Sequence, residues 1–114
     1  MSVKLTTRQV GDVSVIDAVG RLTLGEAAST FRDTIRDLAT KGNKKLLLNL
    51  SDVSYIDSSG IGEMVSGFTT VTNQGGQLKL LGLSKRVKDL LQITKLYTVF
   101  EVFEDEATAV RSFS

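Results

Sequence analysis

Asp57-Ser58-Ser59-Gly60 is the segment of this sequence best equipped for chemistry: two hydroxyls, an acid beside them, and a glycine that lets backbone approach closely. A hydroxyl in such a place can be a nucleophile or can receive a phosphate, and the rest of the composition separates these uses. The chain contains no His and no Cys. Ser-His-Asp and Cys-His pairs, thiolate chemistry, disulfides and the common zinc and copper sites are therefore excluded. The remaining bases for Ser58 or Ser59 are lysines and carboxylates. The Ser-x-x-Lys spacing is not found at this segment, and Asp57 is adjacent to Ser58, where the geometry for proton abstraction is rarely met. Catalysis is disfavoured, and a modification or binding site is the sharper reading.

Ordinary structural roles compete with it. Asp and Ser before a helix are common caps, and Gly is a common turn residue. Ser59 is thus either a helix cap or a second acceptor. Asp57 either orients a hydroxyl and contacts a partner or bonds nearby amides. Gly60 and Gly62 fit close backbone approach, since a lone Gly-x-Gly is too common to mark a nucleotide loop.

The elements that must position this segment follow from periodicity. Val3–Val10 and Val13–Val19 alternate around Gly11-Asp12, which predicts two antiparallel strands. Thr23 precedes Glu26 by three residues, the capping-box spacing, ahead of a helix carrying Ala27, Phe31, Ile35 and Leu38 and stopping at Lys41-Gly42. Lys45–Leu50 is nearly continuous in apolar residues, as in a strand buried on both faces at the middle of a sheet. Asp52 to Gly60 reads as a polar loop into a second helix with Ile61, Met64, Val65, Phe68 and Val71 on one stripe, ended by Gly75-Gly76. Most of that stripe is expected in the core.

Gln77–Leu81 reads as a further strand, and Ser84 caps a short helix that turns Val87, Leu90 and Leu91 inward. Tyr97–Val102 is β-rich by composition, and Asp105–Phe113 closes with Ala107 and Val110 on a helical face. The expected fold is α/β: a mixed central sheet with an antiparallel start, parallel crossovers in its body, and roughly four helices. One domain over residues 1–114 accommodates it.

Charge and hydropathy bound the partners. Lys and Arg number 14 against 13 Asp and Glu, a formal +1, and the basic residues form only short pieces such as Lys44-Lys45 and Lys85-Arg86 with Lys88. Nucleic acid is disfavoured, because phosphate backbones need a clustered basic face. No apolar run approaches the roughly 20 residues that span a bilayer, and Met1-Ser2-Val3-Lys4 does not begin a secretory signal, so a cytoplasmic protein without membrane insertion is expected.

From Asn49 to Gly62 the chain runs Asn-Leu-Ser-Asp-Val-Ser-Tyr-Ile-Asp-Ser-Ser-Gly-Ile-Gly, which resembles the signature of the STAS domains of bacterial anti-sigma factor antagonists. Gly20-Arg21-Leu22, Gly75-Gly76, and Ser84 with Val87 and Leu90-Leu91 agree with it, so the similarity covers nearly the whole chain. The resemblance implies a single STAS domain and a partner switch. Ser58 would be the phosphoacceptor, and Asp57, Ser58, Ser59, Gly60 and Thr23 would meet the partner. That partner would be an anti-sigma factor with serine kinase activity of the GHKL ATPase type, and a serine phosphatase would reverse the modification. ATP would belong to the kinase, leaving this chain without cofactor or metal, as a monomer or weak dimer.

Many such antagonists carry Gly-x-Leu-Asp where this chain has Thr23, a departure that alters the charge near Ser58. Two other family roles are a scaffold of a stressosome-type complex and an adaptor subunit of a lipid-transport ATPase; the intact Asp-Ser-Ser-Gly motif weighs against both. A phosphate adds a charge of about −1.5 to −2 beside Asp57, and like-charge repulsion would weaken binding while the helix start stabilises the phosphate locally. A change of affinity with little change of fold is expected.

Overall fold

The computed structural model describes residues 3–113. Its chain order is β1 (Val3–Val10), β2 (Val13–Leu22), α1 (Glu26–Thr40), β3 (Lys45–Ile56), α2 (Ser58–Asn73), β4 (Gln77–Leu81), α3 (Lys85–Ile93), a 3-10 turn (Leu96–Thr98), β5 (Val102–Phe103) and α4 (Glu106–Arg111). The strands lie in the order β1-β2-β3-β4-β5. The first pair is antiparallel and the other three are parallel. This is the mixed α/β sheet anticipated from the periodicity, with four α-helices.

The opening hairpin turns at Gly11, whose φ of 63° lies in the left-handed region where glycine has no side-chain clash. It brings Val10 opposite Val13. β3 lies between β2 and β4, which explains its apolar run: Leu46, Leu47 and Leu48 are all fully buried. Leu46 and Leu48 join Ile16, Phe31, Ile35, Met64 and Val71 in the main core. Leu47 faces the other way, with Val13, Val15, Leu81, Ala109 and Phe113. Helices α1, α2 and α3 thus share one core, while α4 seals the opposite face.

Several expectations need correction. The polar stretch from Asp52 is strand rather than loop as far as Ile56. β4 pairs with β3 only up to Asn49, but β2 continues alongside, matching Arg21 with Tyr55 and Leu22 with Ile56. With one edge open, Ser51, Asp52 and Ser54 face solvent while Val53 and Ile56 remain core residues.

The capping box at Thr23 does not form. Helix α1 starts later, with Gly25 at the N-cap position and no side-chain cap. Thr23 instead contributes its backbone carbonyl, which accepts from Ala28 N–H at 3.1 Å. Tyr97–Val102 is mostly irregular, and only Val102 and Phe103 pair with β4. Packing overrides composition there: Phe100 is buried edge-to-face against Phe68, at a centroid distance of 5.4 Å. The last helix buries Ala109 and leaves Ala107 exposed, with Val110 half-buried.

The remaining punctuation falls where expected. Ser84 Oγ accepts from Val87 N–H at 3.3 Å, and Gly76 N–H donates to Val71 O at 2.9 Å as α2 ends. Among the described residues no helix is long and apolar enough to cross a membrane.

Candidate functional site

The site is built at the C-terminal end of β3, the place where open parallel sheets present their ligand-facing loops. Asp57 alone separates strand from helix. Its backbone is extended, at φ −99° and ψ −175°, and its carboxylate is the N-cap of α2. One oxygen accepts from Gly60 N–H at 2.9 Å and the other from Leu24 N–H at 2.9 Å. Asp57 N–H donates in turn to Leu22 O at 3.3 Å. A single acid thus straps the segment preceding α1 to the start of α2. The amides of Leu24 and then Gly60 hold its carboxyl below the usual carboxylate range, because both bond the charged form.

This geometry overturns the expectation that Ser59 caps the helix. The cap is Asp57, so Ser59 lies inside the first turn and is half-buried. Ser58, the first helical residue, is exposed. Thr23 lies between Leu22 and Leu24, both bonded to Asp57, and so stands beside the acid that precedes Ser58, where the family resemblance implied a place at the site. The five predicted site residues are therefore assembled in one place.

Gly60 is buried, and its close approach is to its own chain rather than to another. A Cβ there would lie 2.2 Å from Leu22 O and 2.8 Å from Ile56 Cγ2. Gly62 has no such neighbour, since a Cβ would meet nothing within 4 Å. The expectation of close approach holds for Gly60 and fails for Gly62.

Ser58 opens onto a groove of about 860 Å³ whose other wall is α3. The floor is largely apolar, from Tyr55, Ile56, Ile61, Leu90 and Ile93, and the rim carries Asp57, Lys85, Arg86 and Asp89. Ile93 is 78% exposed, as is Leu24 beside Asp57. The guanidiniums of Arg21 and Arg86 lie 5.1 Å and 5.3 Å from the centroid of the Tyr55 ring. The bulged β2–β3 register aligns Arg21 with Tyr55 after the irregularity at Gly20.

Sequence reasoning did not find this wall. Its one signal was Lys85-Arg86, a basic pair too short to indicate nucleic acid, brought to Ser58 by a crossover from β4. The arrangement provides an accessible hydroxyl, a fixed neighbouring acid and a half-apolar groove. Among the described residues no group of His, Cys, Asp and Glu is arranged to hold a metal ion.

Comparison with known proteins agrees with the architecture. The STAS domain family model matches residues 4–109. The anti-sigma-B factor antagonist of Bacillus subtilis is 41% identical over 76 residues, covering 67% of this chain and 69% of that one. A Thermotoga maritima crystal structure superposes with a TM-score of 0.89 at 26% identity, covering 96% of this chain and 93% of that one. The Bacillus cell fate determinant SpoIIAA in its phosphorylated form shares the fold, with a TM-score of 0.76 at 21% identity over 97% of this chain and 100% of that one. With the family model spanning the sheet and all four helices but the end of the last, the chain belongs to the STAS domain family.

Proposed function

We propose that this protein is a cytoplasmic anti-sigma factor antagonist, a regulator without catalytic activity of its own, controlled by phosphorylation of Ser58. Unmodified, it binds an anti-sigma factor that is also a GHKL-type serine kinase, and so frees a sigma factor. Transfer of a phosphoryl group from the kinase's ATP to Ser58 Oγ ends the interaction, and a serine phosphatase restores it. Asp57, Ser58, Ser59 and Thr23 form the contact surface, and Gly60 shapes it from beneath.

The observation that carries this reading is the exposure of Ser58 at the first position of α2, beside a carboxylate whose oxygens are both engaged. A hydroxyl so placed is open to a kinase, and its environment changes from neutral to strongly anionic on modification. Support comes from the 41% identity to an anti-sigma-B factor antagonist and from a relative of the same fold solved in a phosphorylated form.

The test is capture of partners from the native extract by wild type, Ser58→Ala and Ser58→Asp, with mass spectrometry of both the partners and Ser58. Wild type and Ser58→Ala are expected to recover a GHKL-type kinase that Ser58→Asp does not. Identical partners for all three, with no phosphate found at Ser58, would overturn the proposal.

A further inference from the structure

The groove beside Ser58 is bounded by charges that lack counter-ions. Lys85 and Arg86 line it from the first turn of α3. Among the described residues neither forms an ion pair, whereas Arg8 and Arg32 on other faces do. Arg86 is steered toward this end of the sheet by the Tyr55 ring, which Arg21 also approaches. Two guanidiniums on one ring repel each other, and their attraction to its face only partly offsets that. Arg21 Nε is moreover buried with no acceptor among the described residues. This end of the molecule holds three cations, Arg21, Lys85 and Arg86, against the two carboxylates of Asp57 and Asp89.

Among the described residues, the two acids of the groove do not pair with these cations. Both oxygens of Asp57 are occupied by the amides of Leu24 and Gly60, and Asp89 makes no ion pair among the described residues. Because Asp57 already caps α2, a phosphate on Ser58 would meet a carboxylate at the helix start. Its counter-charge has to come from across the groove.

We propose that a phosphate on Ser58 is held within the same chain by Arg86, with Lys85 as the second cation, so that phosphorylation occupies part of the groove as well as charging it. This rests on Ser58 being the phosphoacceptor. Arg86 presents a planar fork of donors that matches phosphate oxygens, and an ion pair there favours the dianion over the monoanion. The phosphate therefore titrates at lower pH when Arg86 is present.

Phosphoserine placed at position 58 during translation, without any kinase, allows this to be read by phosphorus NMR across the second ionisation near pH 6. In the folded protein the midpoint is expected below that of a phosphopeptide of the same local sequence. Arg86→Gln should raise it by roughly 0.2–0.7 pH unit. Arg36→Gln, which removes an exposed arginine of α1, should leave it in place. Equal midpoints in wild type and Arg86→Gln, or equal shifts from both substitutions, would overturn the capture. Since no kinase enters this measurement, a midpoint shift without a kinase partner would sink the switch alone. A kinase partner without a midpoint shift would sink the capture alone.

Discussion

At Gly60 and Gly62, two residues of one type in one helical turn have opposite requirements. A methyl group at Gly60 would collide with the Leu22 carbonyl, a backbone atom that cannot swing aside. Gly60→Ala is expected to cost about 2–4 kcal/mol, read as a lower urea midpoint. At Gly62 a methyl group meets open space, so Gly62→Ala should gain roughly 0.5–1 kcal/mol from lower backbone entropy in the unfolded chain. Asp57 sets a pH dependence. Its carboxyl is held low in the folded state, so its contribution is present above the ordinary carboxylate pKa of about 4 and is lost as pH falls through the folded value. Thermal scans should show Asp57→Asn losing less Tm than wild type as pH is lowered below the ordinary carboxylate value of about 4, and starting lower at neutral pH.

Among the elements, α4 is attached through a buried polar group. Lys79, on β4, is only 6% exposed, and its Nζ donates to Ser112 O at 2.9 Å and Ser112 Oγ at 3.0 Å. Glu101 stands 3.3 Å away, and the Phe103 and Phe113 rings lie 5.7 Å and 4.8 Å from the ammonium. Removing Lys79 leaves a carbonyl without its donor and a gap between two rings. Lys79→Ala should cost about 2–4 kcal/mol and speed amide exchange in α4 before the rest of the sheet. A second tie joins the hairpin to this helix: Arg8 pairs with both Asp17 and Glu106. These groups are partly exposed to solvent, so Arg8→Ala should cost no more than about 1 kcal/mol, with the loss shrinking at high salt.

Across the whole molecule, the sheet separates the site from the α4 face. The main core beneath α1, α2 and α3 is continuous and dense with fully buried Leu, Ile and Phe side chains, which resist a change confined to one exposed hydroxyl. Phosphorylation of Ser58 should therefore perturb amide resonances around the end of β3, the segment before α1 and the first turns of α2 and α3. The resonances of β1 and α4 should stay in place. Shifts spread through the second core of Val13, Val15, Leu47 and Phe113 would instead mean a global rearrangement.

The sequence by itself determined the alternation of elements, the central position of β3, the family resemblance and the grouping of Asp57, Ser58, Ser59 and Gly60. Each is carried by local spacing: an apolar run for a strand buried on both faces, a stripe for each amphipathic helix, and an unbroken motif for the loop. It also singled out Thr23, by spacing as a cap for α1, a position that Gly25 takes, and by resemblance as a neighbour of Ser58. Only the tertiary structure decided that Asp57 is the cap, that β3 persists to Ile56, and that Tyr97–Val102 yields its β preference to the burial of Phe100. It alone brought Arg21, Tyr55 and Arg86 together beside Ser58. The physical reason is range: periodicity and capping patterns report on neighbours along the chain, whereas the strap and the groove join residues about 30 apart, which only the packed sheet brings into contact.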